Sequence, residues 1–188
     1  MLGDAAARPY VEGSAFHNYD GSLAATLAQV HDAYPARDLY FTELWTQPSG
    51  NMLTNFPNHV RKFEIGATCN WAKNVLEWNL ASDAGCGPHT AGGCTECLGA
   101  VTVSGNSVTR NPAYYTVAHA SKFVRPGSVR VDTNIPTNLP NMAFRTPAGK
   151  KVLLVLNTSS LPAQFNVEHK GKTVATALAG GSAGTYVW

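Results

Sequence analysis

The chain has 188 residues, 44% of them hydrophobic, which is typical of a globular protein with one large core or two small ones. Its 14 Lys and Arg residues nearly balance its 12 Asp and Glu residues, and no run of like charge occurs. This balance argues against nucleic acid or an anionic membrane surface as a partner, and it favours a substrate without strong charge.

Targeting signals are not visible in this chain. No stretch of 18 consecutive apolar residues occurs, so the sequence predicts no membrane span. The first residues, Met1 to Asp4, lack the basic and apolar regions of a signal peptide.

Residues 9 to about 124 alternate short apolar runs with helical patterns. This alternation predicts a parallel sheet with helices on both faces, although three strand–helix units are too few to close a barrel. The predicted strands are Tyr10–Phe16, Asp38–Glu43 and Val75–Leu80. The predicted helices begin after Ser22, span about Asn58–Lys73, and begin at Pro112 with Asn111 as N-cap.

From Ser128 onward the sequence contains only strand and turn patterns, which predict a small antiparallel β-sandwich. We therefore place one domain at residues 1–126 and a second at 127–188. The predicted strands of the second domain are Val129–Asp132, Met142–Arg145, Val152–Leu156, Phe165–Glu168, Thr173–Ala177 and Gly184–Trp188.

Polar and aromatic residues lie at the C-terminal ends of the three predicted parallel strands, where α/β barrels carry their functional groups. A carboxylate among aromatic rings and a histidine suits sugar chemistry, because flat rings stack on a pyranose while a carboxylate stabilises a cationic anomeric centre. This chemistry requires no metal or cofactor. The candidates are His17 with Tyr19, Glu43 with Trp45, and Trp78 with Asn79.

Each candidate also has a structural interpretation. A glutamate that ends a strand often caps a helix or forms an ion pair, and a single histidine or tryptophan is often part of a core. Glu77 precedes Trp78 by one residue, so the two-residue period of a strand directs it to the opposite face. We interpret Glu77 as structural.

Six motifs in order resemble glycoside hydrolase family 30, the family of glucosylceramidases and microbial β-1,6-glucanases. The resemblance extends from about residue 9 to the last residue. The motifs are Ala15–Tyr19, Leu39–Glu43, Asn70–Trp71 followed by Glu77–Ala81, Gly87–Pro88, His119–Phe123 and Gly184–Trp188.

This resemblance implies the last three βα units of a (β/α)8 TIM barrel followed by a β-sandwich, and retaining hydrolysis of β-glucosidic bonds. Glu43, at the end of the seventh strand, would be the nucleophile. The acid/base would lie on the fourth strand, which has no counterpart here. We therefore expect a missing N-terminal part of the barrel, an inactive isolated chain, and a longer protein that is secreted or periplasmic.

The resemblance also assigns substrate contacts. His17, Tyr19 and Trp78 match positions that line the glucose subsite, and Trp45 matches an aromatic position beside the nucleophile in microbial members. The segment Gly92–Cys97 resembles the bacterial branch, which favours a microbial β-glucan as substrate. The alternatives are a non-catalytic carbohydrate-binding fragment and a purely structural domain.

We assign no functional role to two further motifs. Cys94 and Cys97 have only His89 nearby, too few ligands for a structural zinc site, so a local disulfide or two reduced thiols are the remaining interpretations. Asn157 begins an Asn-Thr-Ser glycosylation sequon, which we interpret as a coincidence.

Overall fold

A computed structural model describes residues 1–19 and 21–188. The chain divides into two compact units, Met1–Val117 and Ala118–Trp188, which are described separately. Within the described residues, no helix has both the length and the apolar character needed to cross a bilayer.

The first unit contains a three-stranded parallel sheet in the order β1-β2-β3. Its strands are β1 (Gly13–His17), β2 (Asp38–Glu43) and β3 (Ala72–Val75). The predicted β1 began too early, because residues Arg8–Tyr10 form a 3-10 helix. Leu39 and Phe41 of β2 are completely or almost completely buried, as expected for a strand covered on both faces.

The third predicted strand, Val75–Leu80, is shifted in the structure. Strand β3 ends at Val75, and beyond it the sheet continues only as an isolated bridge between Trp45 and Trp78. The apolar residues that suggested a buried strand, Leu76, Trp78 and Leu80, are instead exposed. The Asn74 side chain accepts a hydrogen bond from the Phe41 N–H, and this accompanies the irregular register between β2 and β3.

Helix α1 (Leu23–Ala33) follows β1 as predicted and buries Leu23 and Leu27, which lie four residues apart on one face. These side chains belong to the core of the first unit. The core cluster comprises Leu23, Leu27, Leu39, Phe41, Phe63, Ala67 and Ala72.

The next helical segment was predicted at about Asn58–Lys73, but it begins and ends earlier. It consists of α2 (Met52–His59), a π-helical turn (Val60–Ile65) and α3 (Gly66–Cys69). The start is fixed by a capping box in which Asn51 accepts hydrogen bonds from the Leu53 and Thr54 N–H groups. Lys73, predicted to be helical, lies in β3.

A small sheet that the sequence analysis did not anticipate follows β3. It comprises β4 (Ala81–Ser82), β5 (Val101–Ser104) and β6 (Ser107–Arg110), with β5 and β6 forming a hairpin. Helix α4 (Pro112–Ser121) then begins at the predicted proline. The Asn111 side-chain amide donates to the Gly99 carbonyl and the Thr102 hydroxyl, which connects the start of α4 to this sheet.

The second unit is an antiparallel arrangement of a four-stranded sheet and a hairpin, and each of its predicted strands is present. The sheet has the order β12-β9-β8-β7, and the hairpin pairs β10 with β11. Its core cluster of Leu139, Ala143, Leu153 and Val155 packs against Phe165 and Val167 of the hairpin. The strands are β7 (Val129–Val131), β8 (Asn141–Arg145), β9 (Lys151–Leu156), β10 (Ala163–His169), β11 (Lys172–Leu178) and β12 (Ala183–Val187).

Candidate active site

Glu43, Tyr19 and His17 meet at the C-terminal edge of the parallel sheet. A bulge between Phe16 and His17 shifts the register of β1 and β2, so that His17 pairs with Glu43. The Tyr19 hydroxyl, two residues beyond β1, donates a hydrogen bond to Oε1 of Glu43. Parallel pairing therefore brings together three residues that are separated by up to 26 positions in sequence, as the strand-end argument predicted.

His17 lies beside both partners. Its Nδ1 is 3.8 Å from Oε1 of Glu43, and its ring packs edge-on against the Tyr19 ring with centroids 5.6 Å apart. The side chains of His17 and Glu43 are 43% and 30% exposed. The carboxylate is thus accessible to a ligand while its orientation is restricted by a phenol on one oxygen.

The Tyr19 hydroxyl remains a donor over the whole physiological pH range. Burial, the hydrogen bond to Glu43 and the negative charge of Glu43 raise the pKa of Tyr19 to about 12. A phenol that stays protonated stabilises the ionised form of the carboxylate that accepts its proton. The phenol therefore stays available to donate to the Glu43 carboxylate.

Trp45 and Trp78 follow β2 and β3 at the same edge of the sheet. The two residues form a parallel bridge, and the Trp78 N–H donates to the Leu44 carbonyl. Trp78 is 49% exposed, and Trp45 is partly buried. An exposed indole ring offers a flat apolar surface on which a sugar ring can stack.

Glu77 points away from this edge, as its place in the alternation predicted. Its side chain is 2% exposed and contacts His59, whose Nδ1 is 3.0 Å from both carboxylate oxygens. The Thr46 hydroxyl donates to Oε2 of Glu77 at 3.4 Å. Sequence analysis did not identify His59 or Thr46, because no local pattern signals contacts across 18 or 31 residues.

Cys94 and Cys97 form a disulfide, which settles the choice between a bridge and two thiols. The next residue, Leu98, donates its N–H to the Thr46 carbonyl, so the disulfide loop is joined to the segment that carries Trp45. Cys86 is a buried free thiol. Among residues 1–19 and 21–188, no group of three or more His, Cys, Asp or Glu side chains could hold a metal ion.

Comparison with known families agrees with this geometry. Residues 1–124 match the glycosyl hydrolase family 30 TIM-barrel domain, and residues 127–186 match the family 30 β-sandwich domain. The chain belongs to glycosyl hydrolase family 30. Its fold is therefore a portion of the family 30 barrel with the family's β-sandwich domain, as the resemblance implied.

Relatives within family 30 include β-glucan and glucosylceramide enzymes. The endo-1,6-β-D-glucanase neg1 of Aspergillus fumigatus is 33% identical over 79% of this chain, and the lysosomal acid glucosylceramidase of Mus musculus is 28% identical over all of it. A solved endo-β1,6-glucanase, BT3312, superposes on the whole chain with a TM-score of 0.92 at 32% identity.

This family 30 chain is much shorter than those relatives. It covers 31% of the Aspergillus protein, 39% of the mouse protein and 43% of the solved glucanase. The activities of those full-length proteins therefore serve only as a basis for proposals about this chain.

Proposed function

We propose that this chain supplies the nucleophile side of the active site of a retaining β-glucoside hydrolase. The observation that carries the proposal is the Glu43 carboxylate, which accepts a hydrogen bond from Tyr19 at the edge of the sheet where Trp45 and Trp78 also lie. Membership of a glycoside hydrolase family supports it. Higher identity to endo-1,6-β-glucanases than to the mouse glucosylceramidase favours β-1,6-glucan as the substrate class.

The proposed reaction has two steps. Glu43 attacks the anomeric carbon and forms a glycosyl ester, while the bond to the leaving oxygen breaks and a carboxylic acid protonates that oxygen. Water then attacks the same carbon, the ester bond breaks, and the second carboxylate takes the proton of the water. Retaining enzymes hold their two carboxyl groups about 5 to 5.5 Å apart.

The neighbouring residues orient these steps. Tyr19 fixes one oxygen of Glu43 and leaves the other for attack, while His17 is exposed beside it to bind a sugar hydroxyl. Trp78 and Trp45 provide the stacking surface for glucose. Such positioning lowers the barrier because the reacting atoms lose their freedom on binding rather than in the transition state.

We further propose that strands β1, β2 and β3 are the sixth, seventh and eighth of a (β/α)8 barrel, and that an N-terminal segment supplies the acid/base on the fourth strand. A whole barrel typically needs about 250 residues, so residues 1–126 form only part of one, with the sandwich at 127–188. The length of the relatives supports this division.

We propose that the longer protein acts outside the cytoplasm. The Cys94–Cys97 disulfide supports this location, because disulfides persist mainly in oxidising compartments.

Mechanism-based labelling tests the proposal. The chain, supplied with the proposed N-terminal barrel segment, is incubated with 2-deoxy-2-fluoro-β-glucosyl fluoride, whose leaving group needs no acid. We expect one glucosyl label on the peptide that contains Glu43, no label in Glu43→Gln, and normal labelling in the control Glu96→Gln, which changes an exposed carboxylate. Binding without any label would favour the alternative of a non-catalytic carbohydrate-binding protein, and a label on another residue would overturn the assignment of Glu43.

A further inference from the structure

A buried carboxylate contacts the segments that carry the two tryptophans. Glu77 is the residue before Trp78, and Thr46 is the residue after Trp45. The Thr46 side chain is fully buried, and its hydroxyl donates to Glu77. One carboxylate therefore connects the segment that carries Trp45 to the segment that carries Trp78.

His59 anchors this carboxylate to the helical layer. It is the last residue of α2, is 6% exposed, and contacts both oxygens of Glu77 at 3.0 Å. With its proton on Nδ1, His59 donates to the carboxylate, and such a charge-assisted hydrogen bond is stronger than a neutral one. The tryptophan-bearing segments are thus fixed to α2 as well as to each other.

The π-helical turn brings a second carboxyl group to the same place. In a π-helix the hydrogen bonds span five residues, and Glu64 follows His59 by five, so both residues lie on one side of the segment. Glu64 is 2% exposed and interacts electrostatically with Glu77. Burial and the charge of Glu77 raise the pKa of Glu64 to about 8, so Glu64 is mainly neutral at neutral pH.

Such a cluster is a poor source of net stability. Moving ionisable groups out of water costs about as much as their attraction returns, and apolar residues of the same volume often stabilise a core as well or better. What buried polar contacts do provide is a defined geometry. The geometry defined here is that of Trp45 and Trp78.

We propose that Glu77, held by His59 and Thr46, is a positioning residue that sets how tightly the site binds a glucosyl group. The inference rests on the proposed function, because it concerns the sugar-binding surface beside Glu43. Glu77 faces away from the reacting atoms, so it acts through the position of the indole rings.

The test measures the labelling reaction in two parts, the inhibition constant KI for the fluoroglucoside and the first-order rate constant of labelling, kinact. Glu77→Gln should raise KI about tenfold and change kinact less than about threefold, because misplaced side chains weaken binding before they alter the reacting carboxylate. Thr46→Val, which removes only the hydroxyl, should raise KI by a smaller factor. The double variant should raise KI by less than the product of the two, because both changes break one contact.

A matched control breaks an ion pair at the other end of the same strands. Asp38 begins β2 and pairs with Lys73 of β3, and Asp38→Asn should leave KI and kinact unchanged. Near-ultraviolet circular dichroism checks that each variant is folded. If Glu77→Gln does not fold, Glu77→Asp and Thr46→Val test the same contact with smaller changes.

The outcomes separate the two proposals. An unlabelled wild-type protein refutes the proposed function. A wild-type protein labelled on Glu43, together with folded Glu77 and Thr46 variants that retain the wild-type KI, refutes the positioning role alone. A fall in kinact at constant KI also refutes it, since Glu77 would then act on the reaction itself.

Discussion

The Tyr19 hydroxyl donates a hydrogen bond to Oε1 of Glu43, and this contact joins the ends of two adjacent parallel strands. This contact predicts a raised pKa for the Tyr19 phenol, which can be measured by titration. Burial and the neighbouring carboxylate raise the pKa of Tyr19 to about 12, so the phenolate should form only at strongly alkaline pH. Glu43→Gln removes the negative charge and should lower that pKa, although burial remains.

NMR titration of tyrosine labelled with 13C at Cζ measures this pKa, with Tyr19→Phe assigning the signal. Glu12→Gln is the control, because Glu12 acts on Tyr40 at the other end of the sheet and should leave Tyr19 unchanged. Titration of Tyr19 near 10 in the wild type would show that the contact with Glu43 does not form in solution.

The isolated chain provides a second prediction. We expect no hydrolysis of an aryl β-glucoside by residues 1–188 alone, because the proposed mechanism needs a second carboxylic acid to protonate the leaving oxygen. The measurement is release of the aryl alcohol over hours at high protein concentration. Turnover that disappears in Glu43→Gln would contradict the expectation and would mean that the chain contains its own acid.

The sequence was sufficient to predict features that depend on local periodicity. Glu43 and Tyr19 were expected to lie close together because parallel strands place their C-terminal ends at one edge. The strands of the second unit either alternate partly buried with exposed residues or contain a continuous buried run. The β5–β6 hairpin was missed despite Gly105 and Asn106 between its strands, a two-residue turn signal.

Long-range contacts were beyond sequence reasoning. Glu64 lies in a π-helical turn and interacts with Glu77, and no helical periodicity predicts that turn. The third strand was misplaced because Leu76, Trp78 and Leu80 give the apolar pattern of a buried strand, although all three side chains are exposed.

The buried contacts of Asn157 lead to a prediction about the stability of the protein. Its side chain is fully buried, its amide donates to the carbonyls of Leu161, Leu178 and Ala179, and its oxygen accepts two bonds from Ser159. Asn157→Ala leaves these groups unsatisfied and should lower the free energy of unfolding by about 2–4 kcal/mol. The burial also predicts that this sequon stays unglycosylated in the folded protein.

Urea denaturation of the Asn157 variant measures the loss, and mass spectrometry of protein from a glycosylating host tests the sequon. Asn166→Ala is the control, because Asn166 is exposed on β10 and should change the free energy of unfolding by less than about 0.5 kcal/mol. Equal effects of the two substitutions would mean that the Asn157 contacts add nothing to stability.

Glu64 predicts a pH dependence of stability whose sign follows from its raised pKa. In the unfolded chain its carboxyl has the ordinary glutamate pKa of 4.5, whereas in the folded protein it keeps its proton to about 8. Between these values the folded state binds more protons, so the free energy of unfolding falls as pH rises and levels off above about 8. Glu64→Gln cannot ionise, so it should remove this slope and stabilise the protein most at pH 8 and above, by on the order of 4 kcal/mol.

Urea denaturation at several pH values from 4 to 9 measures the slope for the wild type and for Glu64→Gln. Glu96→Gln serves as the control, since removing this exposed carboxylate should leave the dependence of the unfolding free energy on pH unchanged. The two curves for wild type and Glu64→Gln should converge near pH 4, where the carboxyl is protonated in both the folded and the unfolded state. Parallel curves across the whole range would mean that Glu64 ionises normally, and that water reaches the cluster of Glu64, Glu77 and His59.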